Sequence, residues 1–222
     1  VVEIPGRAMF QILNPMVAKA INTNDNKNLN ELYQKSSTNL LIICGFFFLL
    51  INLNIVSFYE LMNNQFYADA IWVVLIISVA KLVQMSFGCG PAILATSSFY
   101  KITLPFSISM AISVYFLNDY LIDLYGINGA AISTLIVLLL FTILKVLYIN
   151  FKLKIQPYNL NTIKIIVVIS VLYFTLSLLK LDLYPLFDII IKSVLISVFY
   201  ITLVYFLKLS KTINSTLNSL IK

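Results

Sequence analysis

The sequence has no histidine and little charge: 11% of its 222 residues are charged, against roughly 25% in an average soluble domain. The missing histidine excludes imidazole acid–base catalysis and histidine metal ligands within this chain. The missing charge argues against an ordinary soluble enzyme, whose surface needs charge to stay dissolved. Cysteine is scarce as well. Cys44 and Cys89 lie in or beside apolar runs, read as small buried hydrophobes and give no disulfide framework. No GxGxxG or GK[ST] pattern occurs, so Gly88-Cys89-Gly90-Pro91 is neither a dinucleotide nor a phosphate loop. It reads as a turn or helix break.

What is present is apolar: 60% hydrophobic residues and a mean hydropathy of +0.96. That is about 133 residues, and six membrane spans of about 20 residues need about 120. Apolar blocks place the spans at about 38–58, 67–88, 102–117 (extended upstream if tilted), 127–148, 163–181 and 186–207. The runs are continuous rather than alternating, which favours helices over a transmembrane barrel. The expected fold is therefore all-α, a polytopic transmembrane helix bundle of six full spans. Residues 1–21, VVEIPGRAMFQILNPMVAKAI, read as the end of a further helix, so the chain is expected to be part of a longer protein.

The charges are sorted between the loops. Lys19, Lys27, Lys35, Lys101, Lys145, Lys152, Lys154, Lys164, Lys208, Lys211 and Lys222 fall on one side. Glu60, Asp69, Asp119, Asp123, Asp182 and Asp188 fall on the other, where Lys180 and Lys192 are the basic residues. The net charge of +6 thus reads as positive-inside bias, with the basic side and the C-terminus cytoplasmic. A nucleic-acid site would instead cluster its cations on one wet face. Residues 22–37 are polar. Asn28 followed by Glu31 suggests a helix cap, and Leu29, Leu32 and Tyr33 share one face. A short helix on the cytoplasmic interface and a structured loop are both open there. Residues 38–148 form the four-helix part, 149–162 a cytoplasmic loop, 163–207 two extra helices and 208–222 a cytoplasmic tail. The last two spans carry only Ser and Thr as polar interior groups and are expected to be peripheral.

Lys81 stands out because it lies inside the second span, WVVLIISVAKLVQMSFG. A lysine at the membrane centre costs about 2.5–3.5 kcal/mol on insertion scales. Ser78, Lys81, Met85 and Gly88 recur on one helix face, with Gln84 beside them. This face either lines a cavity for an anion such as phosphate or lets the amine snorkel to the surface over about 10 Å. Arg7 follows Glu3 by one turn, so it either pairs with it or offers a bidentate donor to a phosphate. Pro5-Gly6 and Pro15 bend that helix. In YGINGAAIST, Gly126–Ala130 and Gly129–Ser133 are small pairs one turn apart, suited to close helix packing. No acidic residue is expected inside a span, whereas cation-coupled transport usually uses one.

Five ordered segments carry a family resemblance: IPGRAMFQILNPMVAKA (4–20), LNELYQKSSTNLLIICG (29–45), IWVVLIISVAKLVQMSFG (71–88), AILATSSFYK (92–101) and LIDLYGINGAAISTL (121–135), with Gln156-Pro157 beyond. Together they resemble the C-terminal half of the bacterial polysaccharide and O-antigen flippases. These are lipid-linked oligosaccharide exporters of the MATE-like multidrug/oligosaccharidyl-lipid/polysaccharide superfamily. Cys89-Gly90-Pro91 departs from the Asn-Gly pair common in that subgroup, and Asp123 from a common proline. The resemblance implies one lobe of a two-lobe, alternating-access transporter in the bacterial inner membrane, not an enzyme, with no cofactor or metal. It implies export of an undecaprenyl-pyrophosphate-linked oligosaccharide for surface polysaccharide synthesis, with membrane lipids and the N-terminal lobe of the same protein as partners. Lys81, Arg7, Ser78 and Gln84 are the substrate-cavity candidates. A cation-coupled multidrug antiporter of the same fold is the alternative. A membrane-embedded glycan polymerase or ligase is disfavoured by the short outer loops, and a purely structural membrane subunit is also open.

Overall fold

A computed structural model describes residues 4–62, 71–179 and 184–221, except the side chains of 4, 5, 7, 8, 216, 217, 220 and 221. Among the described residues there are helices and no strands. Five helices are long and apolar enough to cross a membrane, or six if one bent pair counts as a single span. The chain is thus an all-α bundle of membrane-crossing length.

Helix α1 (Ile4–Asn22) leads into α2 (Asn26–Leu61), the axis of the bundle. Asp25 caps α2 by accepting a hydrogen bond from the Asn28 amide at 3.0 Å, not Asn28 as the sequence suggested. The 36 residues of α2 extend about 54 Å, well beyond a ~30 Å hydrocarbon layer. The expected separate loop or interfacial helix at 22–37 is therefore corrected: 26–37 are the first turns of α2. The physical reason is twofold. No proline or glycine interrupts Asn26–Cys44. The polar Ser36 and Ser37 are fully buried and hydrogen-bonded within the bundle, and Leu29 and Tyr33 nearby are buried as well.

Helix α3 (Ile71–Ser86) and the short α4 (Gly90–Thr96) form the bent pair, inclined by 50°. The expected break at Gly88-Cys89-Gly90-Pro91 is there. A 3-10 turn at Tyr100–Ile102 opens α5 (Thr103–Tyr125). This helix runs downstream to Tyr125 instead of ending near Leu117 with an upstream extension. Asn118, polar enough to suggest a loop, is instead used across the hairpin, where it accepts a hydrogen bond from Ser133 of α6 (Ile127–Leu153). Gly129 fits the close packing foreseen for its small-residue run, since a Cβ there would lie 1.9 Å from the Leu121 carbonyl oxygen. Helix α6 continues to Leu153 and stops at Lys154 in a left-handed conformation, so the loop expected from 149 begins five residues later.

Helix α7 (Leu160–Ser177) starts at an Asn159–Thr162 capping box, and α8 (Pro185–Phe206) starts on a proline. Residues 211–221, expected as tail, form the short α9 (Lys211–Ile221). Helices α7 and α8 are not merely peripheral. Each packs one face on α2, and Ile165, Ile169, Ile196 and Tyr200 are buried with Leu49 in one core cluster. The Tyr200 hydroxyl donates to the Ile42 carbonyl of α2 at 2.7 Å, which satisfies a buried hydroxyl. Their other faces, like that of α5, leave large apolar side chains such as Ile112, Phe116, Phe174 and Phe199 exposed, a surface suited to lipid.

Candidate functional site

Two polar regions lie among these apolar helices. The first is the α3 stripe foreseen from the sequence. It faces inward: Ser78 and Met85 are buried, Lys81 and Gln84 half-buried. Met85 sits against the backbone of α1 at Gly6, where a Cβ would come within 2.9 Å of its sulfur, and packs on Leu40 and Cys44 of α2. Lys81 Nζ donates to Gln84 Oε1 at 3.2 Å, so the two candidates one turn apart are brought together. The pair places a cation on a half-buried face of α3. Arg7 lies in α1, but its side chain and all of Glu3 fall outside the described residues.

The break that ends α3 is held by α2. Gly88 has φ +56°, and a Cβ there would approach Ser36 Oγ and the Ser37 amide nitrogen to 2.7 Å, so only glycine fits this contact. Ser37 Oγ donates to the Ser86 carbonyl at 2.6 Å, and the Cys89 amide donates to Ser36 Oγ at 2.9 Å. The unwound backbone groups thus find partners in adjacent serines, as irregular backbone at membrane depth requires. Ser86 Oγ also lies 3.1 Å from the Tyr158 hydroxyl, and the neighbouring Gln156 amide donates to Asn30 of α2.

The second region was not foreseen. Asp188, assigned from the sequence to an outer loop, is only 3% exposed in the first turn of α8. It lies at the start of the span rather than in its interior; what the sequence did not foresee is its burial. Its Oδ2 accepts from Lys192 Nζ at 2.8 Å and from the Ser57 hydroxyl of α2. Nearby, Asn54 Nδ2 donates to the Leu50 carbonyl and to Ser193 Oγ. The pair borders a cavity of about 440 Å³ between the ends of α2, α7 and α8, lined also by Asn52, Glu60 and Tyr173. An available signal was the i, i+4 spacing of Asp188 and Lys192 on one helix, but only packing on α2 buries the carboxylate.

A third feature is an apolar cavity of about 280 Å³ between α2, α3 and α7, bordered by Leu41, Phe48, Leu82, Ile169 and Phe174. Neither cavity is lined by Ser78, Lys81 or Gln84. Among the described residues no three acidic or cysteine side chains gather as metal ligands, and both cysteines are buried thiols outside any disulfide. These features define an α-helical, membrane-spanning class of protein with polar groups buried among its apolar helices. Comparison with models of known families, with curated proteins and with solved structures finds no match.

Proposed function

We propose that the chain is one lobe of a two-lobe flippase that exports a lipid-linked oligosaccharide across the bacterial inner membrane by alternating access. It is a transporter and not an enzyme. The basic end of the bundle and the C-terminus face the cytoplasm on this reading, following the positive-inside bias. The observation that carries it is Lys81, a cation on the inward stripe of a broken, span-length helix, steadied by Gln84 at 3.2 Å. A pyrophosphate needs such a group inside the membrane and a tail-compatible apolar exterior around it. The exposed apolar faces of α5, α7 and α8 supply the latter. Arg7, on the adjacent α1, is proposed as a second phosphate donor.

A cation-coupled antiporter would use a carboxylate at depth. Among the described residues Asp188 is the buried carboxylate, and Lys192 already neutralises it. That favours the flippase. The test is export of surface glycan by bacteria expressing the full-length protein with Lys81→Ala, Lys81→Arg or Arg7→Ala. Membrane insertion is followed in parallel. Lys81→Ala is expected to reduce export at least tenfold with normal insertion, since one charged hydrogen-bonding group is worth about 1.5–3 kcal/mol. Lys81→Arg is expected to retain most of it. Normal export in both alanine variants would sink the reading.

A further inference from the structure

The chain leaves α8 at Phe206, turns through Lys208 at φ +49° and re-enters a helix at Lys211. Two hydrogen bonds fix the direction of α9. Asn214 Nδ2 donates to the Tyr205 carbonyl at 3.1 Å, and the Tyr205 hydroxyl donates to Asn218 Oδ1 at 2.9 Å. A helix carbonyl points along its own axis, whereas a side chain radiates from that axis. Successive turns of α9 thus meet one residue of α8, first at its backbone and then at the tip of its ring. So α9 crosses the end of α8 and runs outward with the tyrosine side chain, which is exposed. Its depth follows from its start. Ser210 Oγ donates to Asn39 Oδ1 at 2.6 Å, and Asn39 is the last polar residue before the apolar run Leu40–Leu50 of α2. Leu209 shares a core cluster with Leu41 of α2 and Ile165 of α7. The helix therefore begins where the apolar part of the bundle ends, and it lies across that boundary.

The sequence of α9 suits that level. It separates apolar from polar residues more sharply than α1–α3 or α5–α8, and it is less apolar on average than any of them. Helical spacing puts Ile213, Leu217, Leu220 and Ile221 on one face, with Lys211 and Ser215 on the opposite one. This is the pattern of a helix that lies in a membrane interface instead of crossing it. Charge narrows the partner. Lys208 and Lys211 are exposed, and so is Lys164, which precedes Ile165 of the shared cluster. No acidic residue occurs from 189 to 222. Asp25 and Glu31, the acidic residues described at this end, stand two or more turns further out along α2. Cations at the hydrocarbon edge without nearby carboxylates attract anionic headgroups.

We propose that α9 is an interfacial helix that binds anionic phospholipid headgroups through Lys208 and Lys211, with its apolar face laid against the acyl chains beside α8. Ile213 packs against the bundle core and pins the start of the helix. Asn214 and Asn218 hold it to Tyr205, and the later turns lead away from the bundle over the lipid. Such an anchor is independent of any transported substrate.

The test is hydrogen–deuterium exchange, read by mass spectrometry, of the full-length protein in nanodiscs of phosphatidylcholine alone and of phosphatidylcholine mixed with phosphatidylglycerol. Amides of α9 are expected to exchange more slowly with the anionic lipid, by about fivefold for each of the two lysines. Amides of α8 should stay unchanged and report that each variant is folded. Lys208→Gln alone should remove about fivefold of that gain, and Lys208→Gln with Lys211→Gln should remove most of it. Leu217→Gln should speed exchange of α9 in both lipids. Equal protection of α9 in both lipids overturns the proposal, because the bundle alone then holds the helix. A gain that survives the double lysine substitution overturns it too. So does unchanged exchange in Leu217→Gln.

Discussion

The Lys81 stripe and the Asp188 pocket are both charged sites in apolar helices, yet they are built differently. Lys81 is half-buried and reaches a neutral amide one turn away on α3. Asp188 is buried and tied to two helices at once, through Lys192 on α8 and Ser57 on α2. The first charge stays half-exposed. The second is spent largely on structure, with one carboxylate oxygen left over. The two charged sites therefore differ first in burial.

Stability measurements can break this contrast. The largest effect is expected for Lys192→Met, which leaves the Asp188 carboxylate buried without its counter-charge. Loss of one partner of a buried pair costs about 3–5 kcal/mol, read as a lowered unfolding midpoint in detergent. The double variant Asp188→Leu with Lys192→Met should recover most of that, because an apolar pair avoids desolvating two charges. No recovery would mean that the pair contributes geometry that packing alone cannot replace. Ser57→Ala comes next, at about 1.5–3 kcal/mol for a hydrogen bond to a charged group. Its measurement by the same midpoint tests whether α2 truly anchors the pocket. Lys81→Met should come last, within about 1 kcal/mol of wild type, since the lost hydrogen bond is offset by removing a charge from an apolar span. A loss as large as that of Lys192→Met would erase the distinction.

Much of the fold was legible because apolar length is a local property. The blocks at 127–148, 163–181 and 186–207 match α6, α7 and α8 to within a few residues, apart from the five-residue extension of α6. The helix break at Gly88 was legible from Gly and Pro. Polar stretches misled. Residues 22–37 left a loop and a separate short helix both open, and Asn118–Asp123 looked like a span end, yet 26–37 belong to α2 and 118–123 to α5. Polarity reports what a helix touches, not whether it is one. Ser36 and Ser37 touch the broken end of α3, and Asn118 touches Ser133.

The same division holds for the sites. Lys81 was visible because a charge in the middle of an apolar run is out of place wherever the run packs. Asp188 was not, because three residues inside a helix start the sequence is equally consistent with a solvated loop. Its burial depends on where α8 docks against Ser57 and Asn54, more than 130 residues earlier in the chain. The sequence by itself thus determined the scarcity of charge, the absence of histidine chemistry, the apolar helices and the misplaced lysine. Only the tertiary structure decided that the low charge content includes a buried, paired carboxylate. Local composition sets the transfer energy of a segment, whereas burial of a single side chain is set by its neighbours in space.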